Sequence, residues 1–155
     1  MNLKLDLFHL QQCWIQARVF ERADKAGYDM EAFAAAFMAS EAAEGLDADY
    51  DRMQWAGEAY ILESVVRESG LKPDAAGRRS CDREAIFWAG FIYRFWNFKT
   101  GEPSRAIHAR FPLAEVLSVY PGFHTLDNNR AVDEMIELAR KGRHDDVSDC
   151  ASIRP

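Results

Sequence analysis

Apolar residues recur along this chain at intervals of three and four, without a useful run of strict alternation, and that period predicts helices rather than strands. Leu3, Leu7, Leu10, Trp14 and Ala17 form one such stripe over Leu3–Ala23, widened by Phe8, Ile15 and Val19. Lys25-Ala-Gly27 ends it, with Gly27 free to take the left-handed conformation that closes helices. Asp29 is a suitable N-cap for a second helix presenting Met30, Phe33, Phe37 and Met38 and stopping near Gly45. Asp47 or Asp49 can cap a third, running to about Ser69 with Trp55, Ala59, Leu62 and Val66 on one face and Gly70 beyond its end.

Lys72-Pro-Asp-Ala-Ala-Gly-Arg-Arg-Ser80 mixes proline, glycine and charge and reads as an exposed connection, at about 71–81, within one domain. Asp82 and Glu84 place negative charge in the first turn of a fourth helix, where the helix dipole favours it, and Thr100-Gly101 ends that helix. Pro103-Ser104 opens a short helix to about Arg110, broken by Phe111-Pro112. A second short helix spans Leu113–Val119 and stops at Tyr120-Pro121-Gly122. Asp127 caps a last helix with Ala131, Val132, Met135, Ile136 and Ala139 on its apolar face, closed by Gly142. The pattern therefore predicts an all-α, single-domain helical bundle of about five main helices and two short ones over residues 1–142. Residues 143–155 are polar and aperiodic and are expected to form a frayed, flexible tail.

The fourth helix, Glu84–Phe98, carries 7 of the chain's 19 aromatic residues and is apolar on nearly every side, which places it at the centre of the bundle. Ala89-Gly90 would let a neighbouring helix approach its backbone closely. The apolar stretch Ala85–Phe98 has 14 residues, short of the roughly 20 needed to span a bilayer, so it reads as a core helix with no membrane role. Arg94 lies inside this apolar surround. A guanidinium keeps its proton, so burial there demands a carboxylate or several carbonyl oxygens. Glu58, beside Trp55, Ala59 and Leu62, is the expected partner in a structural Arg94–Glu58 ion pair. Pairing with Glu102 or Asp127, or extension of Arg94 to the helix edge, stands as the alternative.

With 48 % apolar and 28 % charged residues the balance is globular. The N-terminus shows no leader-like charge and cleavage pattern, and Cys13, Cys81 and Cys150 are odd in number and far apart, which favours reduced thiols and a cytoplasmic setting. The net charge of −6 is unevenly placed: residues 1–77 carry 7 basic and 14 acidic groups, 78–110 carry 7 and 3, and 111–155 carry 5 and 8. Acidic flanks argue against sequence-independent nucleic-acid binding, which rests on neutralising phosphates. The basic middle either faces acidic helices of the same fold or forms a local anion patch.

Candidate chemistry is sparse. His9, His108, His124 and His144 have no partner His or Cys at i, i+4 and no HExxH pattern, so no metal and no cofactor are expected. Asp47, Asp49 and Asp51 imitate the opening of a calcium loop, but no glycine follows at the sixth position. The segment Ser104–Val119 has helix-turn-helix proportions. Its second helix, Leu113-Ala-Glu-Val-Leu-Ser-Val, offers no Arg, Lys, Asn or Gln to read bases. His124, in a loop with Thr125 and Asp127, either braces that loop or serves as a general base. A small enzyme or anionic-ligand binder would gather Tyr93, Arg94, Glu102 and His124.

Phe91-Ile-Tyr-Arg-Phe-Trp96, Thr100-Gly-Glu102, Tyr120-Pro-Gly-Phe-His-Thr-Leu-Asp127 and Ala131-Val-Asp-Glu-Met-Ile136 together resemble small helical bacterial proteins of unassigned function, some encoded beside toxins with an ADP-ribosyltransferase-like fold and regarded as antitoxins. The resemblance covers about residues 86–138. It implies a protein-binding, neutralising role with a protein partner such as a cognate toxin, and no catalysis. Tyr93, Arg94, Glu102, His124, Thr125 and Asp127 are the partner- or ligand-binding candidates on its motifs. An interaction-only accessory protein of a phage or mobile element is a further alternative.

Overall fold

In a computed structural model the chain is described over residues 2–74 and 82–152, with side chains to residue 142. Residues 75–81 of the expected connection lie outside the described residues. Among the described residues there are eight α-helices, one 3₁₀ turn and no strand: α1 Leu7–Lys25, α2 Met30–Met38, α3 Glu41–Asp47, the 3₁₀ turn Arg52–Trp55, α4 Glu58–Ser69, α5 Arg83–Thr100, α6 Ser104–Arg110, α7 Leu113–Phe123 and α8 Asn128–Ser152. The fold is all-α, a helical bundle, and no helix among the described residues is long and apolar enough to cross a membrane.

Local chemistry sets the helix starts. Asp6, Asp29, Ser40, Asp51 and Asp82 each accept a backbone N–H from the first turn that follows, satisfying donors that have no partner inside the helix. Asp127 does the same for Asn129 at the start of α8. Ser40 is the cap that splits the expected second helix into α2 and α3. The expected third helix is likewise divided. Asp51 starts a 3₁₀ turn, and Gly57, at φ +83°, breaks the chain before α4.

Three boundaries differ from expectation. The chain before α1 is extended, because the Asn129 side chain holds both Leu3 backbone groups (Leu3 N donates to its Oδ1 at 2.6 Å, and its Nδ2 donates to Leu3 O at 2.8 Å). α7 passes through Pro121 to Phe123. There the proline forfeits one late hydrogen bond on an exposed turn, too little to stop the helix. α8 continues past the expected end at Gly142 to Ser152, and residues 153–155 of the expected tail lie outside the described residues.

The centre of the bundle is the pair α1 and α5, whose mutual contact is the most extensive in the fold. Gly90 makes it possible: a methyl group there would stand 2.8 Å from Ala17 Cα and 2.9 Å from Gln16 O. The aromatic α5 buries Ile86, Ala89, Ile92, Tyr93, Phe95 and Trp96, as the sequence pattern requires. Phe20 of α1 meets Phe33 and Phe37 of α2 edge-on, at 5.7 and 5.2 Å between ring centroids, an arrangement their quadrupoles favour.

The helical phase differs from expectation on two elements. On α4 the buried residues are Ile61 and Val65, while Ala59 is exposed. On α1 the buried face is Gln12, Cys13, Gln16, Ala17, Phe20 and Ala23, and the expected stripe of Leu7, Leu10 and Trp14 turns away from the core. Two glutamines thus face inward where three large apolar residues were expected.

Candidate functional site

The inward glutamines are explained by Arg94, which has no exposed surface at all. Its Nε donates to Gln16 Oε1 at 2.8 Å. Nη1 donates to Asp47 Oδ1 at 2.5 Å and to Asn97 Oδ1 at 3.1 Å, and Nη2 donates to Ser104 Oγ at 3.2 Å. Ser104 closes the ring by donating its hydroxyl to Asp47 Oδ1 and its backbone N–H to Asp47 Oδ2, at 2.6 and 2.8 Å. Gln16 Nε2 in turn donates to Gly90 O at 3.0 Å. Desolvation pulls the Arg94 pKa below its ordinary value and the Asp47 carboxylate pulls it back up. A guanidinium in such a setting stays charged because its carboxylate and its remaining acceptors are all supplied.

The expected Arg94–Glu58 pair is therefore replaced by Arg94–Asp47. Glu58 opens α4 on the outer side of α1, where it accepts from Arg18 Nη1 at 3.2 Å and Arg22 Nε at 3.0 Å. The reason is that α4 packs chiefly on α1 and not on α5: Glu58, on the same face as the buried Ile61 and Val65, meets the α1 arginines and does not reach Arg94. Asp47 ends α3 and lies against Arg94 and the start of α6, so this carboxylate, read from the sequence as a cap, fastens α3, α5 and α6 together.

Above this network lies a cleft of about 360 Å³ between α1, the α3–α4 connection and the end of α5. Its polar lining is His9, Gln12, Asp47, Asp49, Gln54 and Asn97, and Phe8 and Phe98 form apolar walls. Gln12 Nε2 donates to Gln54 O at 3.2 Å and Gln54 Nε2 to Ala48 O at 2.6 Å. Gln12 is 3 % exposed, and its Oε1 is buried without a hydrogen-bond partner. His9 packs edge-on to Phe98 at 4.6 Å, and its Nδ1 lies 2.7 Å from Asp6 Oδ1. Hydrogen bonds from the His9 backbone and ring hold the Asp6 carboxyl below its usual range.

The outward stripe of α1 borders a second concavity, an apolar groove of about 730 Å³ along Leu7, Leu10, Trp14 and Ile15, with Trp55 of the 3₁₀ turn on its far side. Leu7 is 86 % exposed, Trp55 76 % and Trp14 43 %. Phe8 lines both the groove and the polar cleft and packs on Trp55 at 5.3 Å, so the two concavities adjoin on either side of its ring.

The sequence-derived candidates are not gathered into one accessible site. Tyr93 is wholly buried and donates its hydroxyl to Phe111 O at 2.6 Å; burial raises its pKa. Glu102 takes both its oxygens to Arg110 Nη1 at 2.7 Å and accepts from Trp96 Nε1 at 3.3 Å, which braces the α5–α6 turn. His124 stacks on Tyr120 at 4.5 Å and its Nδ1 lies 2.7 Å from Tyr120 O on an exposed turn, the bracing role foreseen for it. Thr125 is exposed, and Asp127 caps α8. The side-chain partners of Arg94 are Gln16, Asp47, Asn97 and Ser104 and not His124, and Arg94 presents no surface to a ligand. Among the described residues no group of three His, Cys, Asp or Glu is placed to hold a metal ion.

Gln12 and Gln54 escaped the sequence reading, as did Asp47 in its bridging role. The available signal was Gln12 and Gln16 one turn apart on α1. Compared with protein-family models, curated proteins and solved structures, the chain matches none of them.

Proposed function

We propose that this chain is a protein-binding component that acts by covering a surface of its partner. The observation that carries the reading is the outward apolar face of α1, where Leu7, Trp14 and Trp55 flank a groove that none of the described residues fills. Contiguous exposed apolar surface of this kind marks interaction sites, and tryptophan is among the residues that dominate interface energetics. Seven net negative charges over residues 1–77, the half that contains the groove, favour a partner with a basic surface and speed encounter with it.

The specific form of the role is antitoxin-like neutralisation or regulation of a bacterial toxin, in the cytoplasm, as the resemblance over residues 86–138 implies. An interaction-only accessory protein would use the same face without rescuing cells from a toxin. The reading as an anionic-ligand binder using Arg94 and His124 loses its support, because a guanidinium with no exposed surface cannot meet a ligand.

Co-expression with the adjacent reading frame tests the proposal. The neighbour is expected to arrest growth alone and to be harmless beside this chain, with the two proteins co-purifying. Leu7→Ser/Trp55→Ser, which alters only exposed positions, is expected to abolish both rescue and co-purification. Rescue that persists in that variant would refute the groove as the binding face, and a harmless neighbour would refute the antitoxin role.

A further inference from the structure

We infer that the polar cleft beside the groove receives a basic side chain, an arginine guanidinium, from the polypeptide that docks along α1. The inference rests on the docking reading above and adds the chemistry of the partner's contact segment. It starts from the unused hydrogen-bonding capacity of the cleft. The carboxamide groups turn an N–H inward: Gln12 to Gln54 O, Gln54 to Ala48 O and Asn97 to Glu102 O. Reversing the Gln12 amide would set its oxygen 3.2 Å from the Gln54 carbonyl, acceptor against acceptor, so its orientation is fixed. Its Oε1 is consequently a buried acceptor that still lacks a donor, and such groups are costly unless something supplies one.

Charge points the same way. No lysine or arginine lines the cleft. Arg94 offsets Asp47 from beneath, which leaves Asp49 uncompensated by any basic residue of the lining, and Asp6 adds its carboxylate next to His9. An anion would meet acceptors and like charge. A cation with several N–H donors would find the Asp49 carboxylate and, as the side chains closing over it move apart, the Gln12 oxygen. The Phe8 and Phe98 walls favour a planar guanidinium over an ammonium, because only the former stacks on aromatic faces while donating in several directions. Phe8 borders both cleft and groove, so an apolar anchor in the groove and an arginine in the cleft can come from one short segment.

Selection of a random peptide display library on the full chain tests this. Recovered peptides are expected to pair large apolar residues with an arginine at a fixed separation. Replacing that arginine by norleucine should weaken binding about tenfold, the loss expected for a removed charge-assisted hydrogen bond. Asp49→Asn and Gln12→Met should each weaken the arginine peptide several-fold and leave the norleucine peptide unchanged. Asp49 is exposed, so its variant decides the matter should Gln12→Met fail to fold. Tight peptides without a basic residue, or arginine peptides indifferent to Asp49→Asn, would overturn this inference and leave the docking reading standing. Recovery of no peptide would overturn both. Binding of N-acetyl-arginine amide as tight as that of the peptide would identify a free small cation as the occupant and would also overturn it.

Discussion

Arg94 and Trp14 stand in each other's expected places. The arginine, a charged residue in the middle of α5, has no exposed surface, whereas Trp14, on the apolar stripe of α1, is 43 % exposed and its neighbour Leu7 86 %. Hydropathy alone would reverse them. What decides the matter is the supply of partners. Arg94 has Gln16, Asp47, Asn97 and Ser104 converging on its nitrogens, so each of the three nitrogens is buried with an acceptor. Trp14 rests one side on Phe87 and Phe91, at 5.2 and 5.9 Å, and leaves its other side to the groove, because the inner face of α1 is already taken up by its contact with α5 at Gly90. One region is polar and saturated, the other apolar and unfilled. The first serves the fold, and the second is the face we propose for a partner.

The largest expected effect comes from breaking the saturated region. Arg94→Met leaves the Asp47 carboxylate, Gln16 and Asn97 without their donor, and urea denaturation should show a loss of about 3–5 kcal/mol. A loss under about 1 kcal/mol would mean that water replaces the guanidinium, and the network would then not be what holds α3, α5 and α6 together. Next in size is Gly90→Ala. Alanine is the better helix former by about 1 kcal/mol, but its methyl group would meet the α1 backbone at 2.8 and 2.9 Å. Overpacking of that kind typically costs about 1–3 kcal/mol, so the melting temperature should fall; a rise would show that α1 can withdraw.

These two sites also mark what the sequence could and could not convey. The all-α class, the central aromatic helix, the close approach at Gly90 and the caps at Asp29 and Asp127 were legible because each depends on local chemistry or on a long, strong period. Arg94 was legible as a buried charge, since its apolar neighbours in sequence are its neighbours on the helix. Its partner was not. Which carboxylate arrives depends on which helix α4 and α3 pack against, and α4 lies on α1, so Glu58 meets Arg18 and Arg22 while Asp47 arrives from the end of α3. The groove was hidden for a related reason: an apolar stripe looks the same whether it faces a core or a partner, and only the inward glutamines tell the two apart.

Titration sharpens the interior side of the comparison. Cys13 sits on the inward face of α1, and burial pushes its thiol up to about 12 while the charge of Arg94 pulls it down. The unfolded thiol titrates near 8.5, so the stability that Cys13 contributes is intact below that pH and is lost as pH rises toward about 12. Comparison with Cys13→Ala should isolate that slope. In a Cys81→Ser/Cys150→Ser background, alkylation at pH 8.5 should proceed no faster than global unfolding; rapid labelling would contradict the burial. At the acid end burial holds His108 neutral, below its ordinary pKa of 6.5. Its contribution is present above pH 6.5 and declines as pH falls through the lowered value, a dependence that His108→Gln should remove.

The smallest expected effect on stability lies on the open side. Leu7→Ser and Trp55→Ser each change a side chain that is mostly in water already, and unfolding midpoints should move by no more than about 0.5 kcal/mol each. A cost of several kcal/mol would place these residues in the core and remove the contrast.

The most direct measurement is therefore the affinity of Leu7→Ser/Trp55→Ser for a peptide selected on the unaltered chain, taken beside its unfolding midpoint. A face made for a partner predicts a midpoint within about 1 kcal/mol of the parent, the sum of the two small changes, with binding weakened at least about a hundredfold, as loss of aromatic anchors typically brings. Unchanged affinity at an unchanged midpoint would contradict that assignment of the α1 face.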